Sequence, residues 1–170
     1  MVHIYCGDGK GKTTCAMGLA LRSAGRGNQV VIAQFLKDGN TGERISWEKH
    51  PNVTLLPVPE KMKFIFAMSE EEKAATQREM TALFDRAAEL VRQGKCQLLV
   101  LDEMCSAVTT GMVPLEKVTA FLDEGHEAEI VLTGRDPEPA LQERADYMSE
   151  MKKVKHPYDK GMNARKGVEW

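Results

Sequence analysis

The chain has 170 residues, 42% of them hydrophobic and 28% charged, which suits one globular domain able to bury about 68–70% of its unfolded surface. Lys and Arg number 23 against 25 Asp and Glu, so the net charge of −2 argues against a nucleic-acid or membrane partner. No apolar run reaches about 18 residues and no signal peptide opens the chain, so a cytoplasmic protein is expected.

Residues 2–6, VHIYC, form a short β-branched and aromatic run expected to be a buried strand that begins the domain. A glycine-rich loop follows, and then KTTCAMGLALRSAG, in which Ala16, Leu19, Ala20 and Ala24 recur at helical spacing and Gly25 is a stop signal. QVVIAQF, residues 29–35, reads as a second buried strand, so the first 35 residues make a right-handed parallel βαβ unit. Residues 37–52 are polar and read as a loop with one helical turn near 43–49. VTLLPV, residues 53–58, is a short strand that Pro57 confines to an edge or an end.

EKMKFIFAM, residues 60–68, has no clear period. Ser69 and Glu72 then make a capping box, and Met80, Leu83, Phe84, Ala87, Leu90 and Val91 share one face of a long helix ended by Gly94. CQLLVLDE, residues 96–103, is an apolar strand closing in two acids. PLEKVTAFLDEG is a helix with proline in its first turn, AEIVLTGR a buried strand and PEPALQERA a further helix. The alternation predicts a single α/β domain over 1–170, a mainly parallel sheet with helices on both faces. Residues 151–170 form a basic segment without a clear helix, carrying six Lys or Arg against Asp159 and Glu169. The tail reads either as solvated chain or as a flap beside an anionic ligand. Cys6, Cys15, Cys96 and Cys105 form no C-x-x-C pair and are expected to be reduced thiols.

The stretch CGDGKGKTT carries the chemistry. It follows a strand and opens a helix, the context a phosphate-binding P-loop demands, yet Cys6 stands where G-x-x-x-x-G-K-[ST] has its first glycine. Backbone N–H groups and the helix N-terminus would cradle phosphate oxygens. Gly7, Gly9 and Gly11 give conformational freedom, Lys10 and Lys12 give charge, and Thr13 gives a hydroxyl to a magnesium ion. Two lysines in one loop favour a polyphosphate. Asp102 and Glu103 are both candidate metal-binding acids; strand alternation predicts that one of the two addresses the site. Arg135, in TGR at the same sheet edge, could neutralise phosphate.

In order along the chain, GDGKGKTT, AQFLKDGNTGE, LLVLDE, VLTGR and ADYMSEMKKVKHPYDKGMNARKGVEW resemble the P-loop-type ATP:corrinoid adenosyltransferases nearly end to end. The terminal block is the most specific, and that family also lacks the first glycine. The resemblance implies a P-loop NTPase-like (RecA-like) fold. It also implies transfer of the 5′-deoxyadenosyl group of ATP to Co(I) of a reduced corrinoid such as cobalamin, with triphosphate leaving. Carried over by position, Gly7, Asp8, Gly9, Lys10, Gly11, Lys12, Thr13 and Thr14 hold the triphosphate, with Arg22, Glu103 and Arg135 near the nucleotide or the metal, Mg2+ or Mn2+. Phe64 and Phe66 stand where the family has an aromatic pair that displaces the lower axial ligand of Co(II), easing its reduction. Phe66 replaces a family tryptophan. The segment that precedes the first strand in some relatives, and helps cover the corrinoid, is missing here. A homodimer and a flavodoxin-like electron donor are likewise implied. The competing readings are a P-loop small-molecule kinase or ATPase, which should carry an arginine-rich lid, and a nucleotide-binding regulatory module.

Overall fold

The computed structural model describes residues 1–169; Trp170, the end of the terminal block, lies outside the described residues. Six parallel strands form one sheet: β1 (Val2–Cys6), β2 (Val30–Gln34), β3 (Val53–Leu55), β4 (Leu98–Asp102), β5 (Glu129–Thr133) and β6 (Tyr147–Glu150). Their spatial order is β3-β2-β4-β5-β1-β6. Helices α1 (Lys12–Ala24), α2 (Gly42–Trp47), α3 (Glu70–Arg92), α4 (Met104–Thr109), α5 (Leu115–Asp123) and α6 (Pro139–Gln142) connect them.

Side chains alternate across each strand, which divides the interior into two cores. Ile4, Val31, Ala33, Leu99, Leu101, Ile130 and Leu132 point to one face, where Met80, Phe84 and Ala87 of α3 and Val118 and Phe121 of α5 cover them. Phe84 meets Phe121 edge-on at 5.6 Å, worth about 0.5–1.5 kcal/mol beyond area burial. Val30, Ile32, Leu98, Val100 and Val131 point to the other face, under Ala16, Met17, Ala20 and Ala24 of α1. Helices therefore cover both faces, as the run pattern predicts. The capping box forms as read: Ser69 Oγ accepts from the Glu72 amide at 3.2 Å, and Glu72 accepts from the Ser69 amide at 2.9 Å. Such a cap contributes about 1 kcal/mol.

Three features depart from the sequence reading. The strand over 96–103 stops at Asp102, and residues 104–109 turn at once into α4. Residues 137–145 yield only the four-residue α6. Residues 147–150 form β6, an edge strand whose side chains are all exposed, paired with β1 through the backbone from His3↔Tyr147 to Cys6↔Glu150. The tail beyond it is irregular apart from one 3₁₀ turn, Pro157–Lys160.

Candidate functional site

The carboxyl ends of β1, β2, β4 and β5 converge with the start of α1. Cys6 closes β1 with its side chain buried in the larger core, so the first-glycine position serves packing. The loop turns after it: Gly7 has φ 102° and Gly11 φ 118°, conformations that cost an L-residue strain. Gly9 is required for a different reason. Its N–H donates to Met151 O at 2.6 Å, and a Cβ there would stand 2.6 Å from that same oxygen. The Met151 N–H returns a bond to Cys6 O at 2.8 Å. Asp8 continues the brace, its carboxylate accepting from the Lys153 amide at 2.9 Å, the main cause holding its pKa below the usual carboxylate value. The chain just beyond β6 thus fixes the outer wall of the loop. Lys12 folds back, Nζ donating to Gly9 O at 2.8 Å. Burial lowers its pKa, and the Glu103 carboxylate opposes that shift.

Strand parity explains the acid cluster. Gln34 continues the face of Val30 and Ile32, Asp102 that of Leu98 and Val100, and Thr133 that of Val131, so all three point toward α1, where Thr13 begins the helix. Register sets Gln34 beside Asp102. Asp102 is fully buried. Its Oδ1 accepts from Thr13 Oγ1 at 2.9 Å and Thr133 Oγ1 at 2.7 Å. Its Oδ2 accepts from Lys37 Nζ at 2.6 Å and Gln34 Nε2 at 3.3 Å. The buried Arg44 of α2 orients Gln34 by donating to its Oε1 at 3.1 Å. Glu103 also reaches the site. Its φ of 62° ends the strand alternation that predicted one acid only, its amide donates to Thr133 Oγ1, and its side chain lines the cavity described next. Ser106 holds that carboxylate at 2.9 Å.

Of these groups, Lys12, Thr13, Lys37 and Glu103 line a cavity of about 980 Å3. Lys10 to Thr14 form its floor, with Lys37 and the residues up to Glu43 opposite, and Met62, Lys63 and Phe64 at a further wall. Gly167, Val168 and Glu169 of the tail complete it. Glu169 is bound by Arg165 through side chain and backbone, which brings its pKa down to about 2. Phe64 and Phe66 are 76% and 87% exposed and stack on each other at 5.4 Å. That exposure excludes a core-packing role for them.

The structure therefore gathers Gly11, Lys10, Lys12, Thr13, Thr14, Glu103 and Phe64 at the cavity and puts Asp102 directly behind Thr13. Gly7, Gly9 and Asp8 face the tail instead. Arg135 is exposed beside the loop, its amide donating to Ser106 Oγ at 3.4 Å. Arg22 is exposed in the last turn of α1, ten residues or about 15 Å along the helix from Lys12, and does not line the cavity. Phe66 packs on Phe64 without lining the cavity. Sequence reasoning missed Lys37, Gln34, Arg44 and Thr133. Thr133 is the first residue of the marked TGR, the signal by which it could have been found, and Gln34 and Lys37 lie within AQFLKDGNTGE.

The donor set suits a hard divalent ion: a Thr hydroxyl and two carboxylates are the oxygen ligands that magnesium takes alongside substrate phosphates. The Lys37 ammonium already occupies a cation position between Thr13 Oγ1 and Asp102 Oδ2.

Comparison with known proteins agrees with this geometry. In fold, the chain is similar to ATPases 2 and 3 of EssC from Geobacillus thermodenitrificans (TM-score 0.53, 13% identity, 98% of this chain and 34% of that one). It is also similar to a KaiC-like protein from Pyrococcus horikoshii (TM-score 0.50, 16% identity, 99% and 74%). These likenesses support the RecA-like α/β fold. In sequence, it is 32% identical over 169 residues to a corrinoid adenosyltransferase of Pseudomonas aeruginosa, covering 98% of this chain and 82% of that protein. It is 31% identical over 172 residues to that of Escherichia coli K12, covering 100% and 85%. The profile of the ATP:corrinoid adenosyltransferases BtuR/CobO/CobP matches residues 1–170, and the chain belongs to that family.

Proposed function

We propose that the protein transfers the 5′-deoxyadenosyl group of ATP to the Co(I) centre of a reduced corrinoid, releasing triphosphate. The observation that carries this reading is the family match over residues 1–170, laid over a cavity lined by a lysine-bearing phosphate loop and by the exposed Phe64, on which Phe66 stacks. A P-loop kinase is disfavoured by the same match.

The reaction is a displacement at carbon. The cobalt electron pair forms the Co–C5′ bond while the C5′–O bond breaks and its electrons leave on the triphosphate. Co(I) is a strong nucleophile and needs no general base. The protein has to hold C5′ in line and stabilise charge on the leaving group. Lys12 and Lys10, at the floor of the cavity, suit that second task. Withdrawal of Lys12 from water strengthens its attraction for an anion. Bound Mg2+ or Mn2+ would add positive charge at the triphosphate; Thr13, Asp102 and Glu103 are the residues that would hold it. The stacked Phe64 and Phe66 offer a flat apolar surface suited to the corrin underside. The wider reading is a cytoplasmic homodimer supplied with electrons by a flavodoxin-like protein. The family resemblance supports it, and the free state of all four cysteines suits a reducing compartment.

Product analysis tests the assignment. With ATP, Mg2+ and chemically reduced cobalamin, the expected products are triphosphate and a light-sensitive Co–C species. ADP and phosphate as the only products would instead establish phosphoryl transfer.

A further inference from the structure

We propose that Lys37 is a tethered counter-cation of the Thr13–Asp102 pocket, exchanged for a divalent metal when nucleotide binds, with its ammonium then released to the polyphosphate. The inference rests on the nucleotide-binding part of the function above and not on the corrinoid.

A fully buried carboxylate needs compensation. Of the four donors on Asp102, three are neutral: Thr13, Thr133 and Gln34. Only Lys37 brings charge. Its Nζ lies 2.6 Å from Asp102 Oδ2 and 3.0 Å from Thr13 Oγ1. Thr13 spends its own proton on Asp102 Oδ1, so it offers Lys37 a lone pair. The ammonium is therefore held as a cation between hard oxygens of two residues.

Those oxygens belong to residues that fit magnesium, whose ligand distances are about 2.0–2.1 Å. An ion at such distances from the same atoms would overlap the nitrogen, and two cations that close repel strongly. The two occupancies exclude each other. Lys37 is built to leave. Its side chain is 21% exposed, it lines the cavity, and it follows Leu36, whose φ of 54° turns the chain sharply out of the sheet edge. A four-carbon stem lets the ammonium swing toward the floor formed by Lys10 and Lys12. Exchanging one positive charge for two raises the site's charge as the polyanion arrives. In the absence of nucleotide, Lys37 keeps the buried carboxylate paired.

The test is Mn2+ titration of the full chain, followed by electron paramagnetic resonance, with and without ATP, on wild type, Lys37→Gln and Lys37→Arg. The Gln variant keeps a donor for Asp102 and loses the charge. It should bind Mn2+ more tightly than wild type, on the order of tenfold or more, because the metal no longer has to displace a paired ammonium. Mg2+ should also raise its melting temperature more than that of wild type. At saturating Mg2+, it should bind ATP several-fold more weakly than wild type, having lost the released ammonium. The Arg variant keeps a larger fixed charge and should bind Mn2+ no more tightly than wild type, a comparison that stands even if the Gln variant fails to fold. A Gln variant with Mn2+ affinity at or below wild type, or an Arg variant that binds Mn2+ more tightly, would overturn the proposal. None of these readouts involves cobalt, so failure of the corrinoid assignment leaves them interpretable.

Discussion

Replacing Gly9 with alanine probes the brace between the loop and the tail. The added Cβ would lie 2.6 Å from Met151 O, 2.8 Å from Met151 C and 2.9 Å from Lys152 C. All three are backbone atoms, so no side chain can rotate away. A carbon–oxygen contact relaxes near about 3.3 Å, so the segment must move by roughly 0.7 Å. If it stays, overpacking costs about 1–3 kcal/mol. If it withdraws, the Gly9–Met151 and Met151–Cys6 hydrogen bonds are lost, at about 0.5–1.5 kcal/mol each. Both routes give about 2 kcal/mol, which for a chain of this size lowers the melting temperature by about 4–8 °C. Calorimetry measures that drop. Hydrogen exchange on peptides spanning 147–153 locates it, because detachment of the brace should speed exchange there. Gly11→Ala is the control: its φ of 118° makes it strained too, yet nothing lies within 4 Å of its Cβ, so exchange at 147–153 should not change. Wild-type stability together with wild-type exchange in the Gly9 variant would refute the reasoning.

Lys12→Ala should lower kcat/KM for triphosphate release by about 10²-fold or more, by removing a charge next to the leaving group; near-normal rates would remove Lys12 from the chemistry. Phe64→Ala should leave the melting temperature within about 1–2 °C, since surface changes of this kind stay within roughly 0.5 kcal/mol. It should harm turnover starting from Co(II) with a reductase more than turnover from preformed Co(I), and equal losses in the two assays would deny it a role in the reduction step. At pH 8 the native protein should present one fast thiol, Cys15, which is exposed, while Cys6, Cys96 and Cys105 are buried. Burial pushes the Cys96 and Cys105 thiols up to about 11 and about 12, so titration with a disulfide reagent should find a single fast site per folded chain and four after denaturation.

The parts of this fold that bury apolar side chains were legible in advance. VVIAQ, LLVLD and EIVLT are almost wholly buried, and the face from Met80 to Val91 is the face that packs. An element held mainly by backbone pairing, with no buried side chain, left no such trace. Tyr147, Met148, Ser149 and Glu150 are all exposed, and their strand exists because β1 offers an unpaired edge. MCSAVT is a short helix hidden in an apolar context that reads as continuation of the strand before it. In the site, the loop was visible because its glycines and lysines have few other uses. Lys37 was not. It looks like one more polar loop residue until the ends of β2 and β4 lie side by side. The expectation that only one of Asp102 and Glu103 addresses the site failed because a left-handed φ at a glutamate is written in no propensity.

The brace on the loop also fixes when this protein can begin to work. Asp8 leaves the ribosome well ahead of its partner Lys153, which follows 145 positions later. At about 5–20 residues per second, translation separates them by roughly 7–30 s. During that interval a nascent chain has made its glycine-rich turn but has nothing to hold it in shape. A loop held in its final shape must therefore await synthesis of the segment around Lys153.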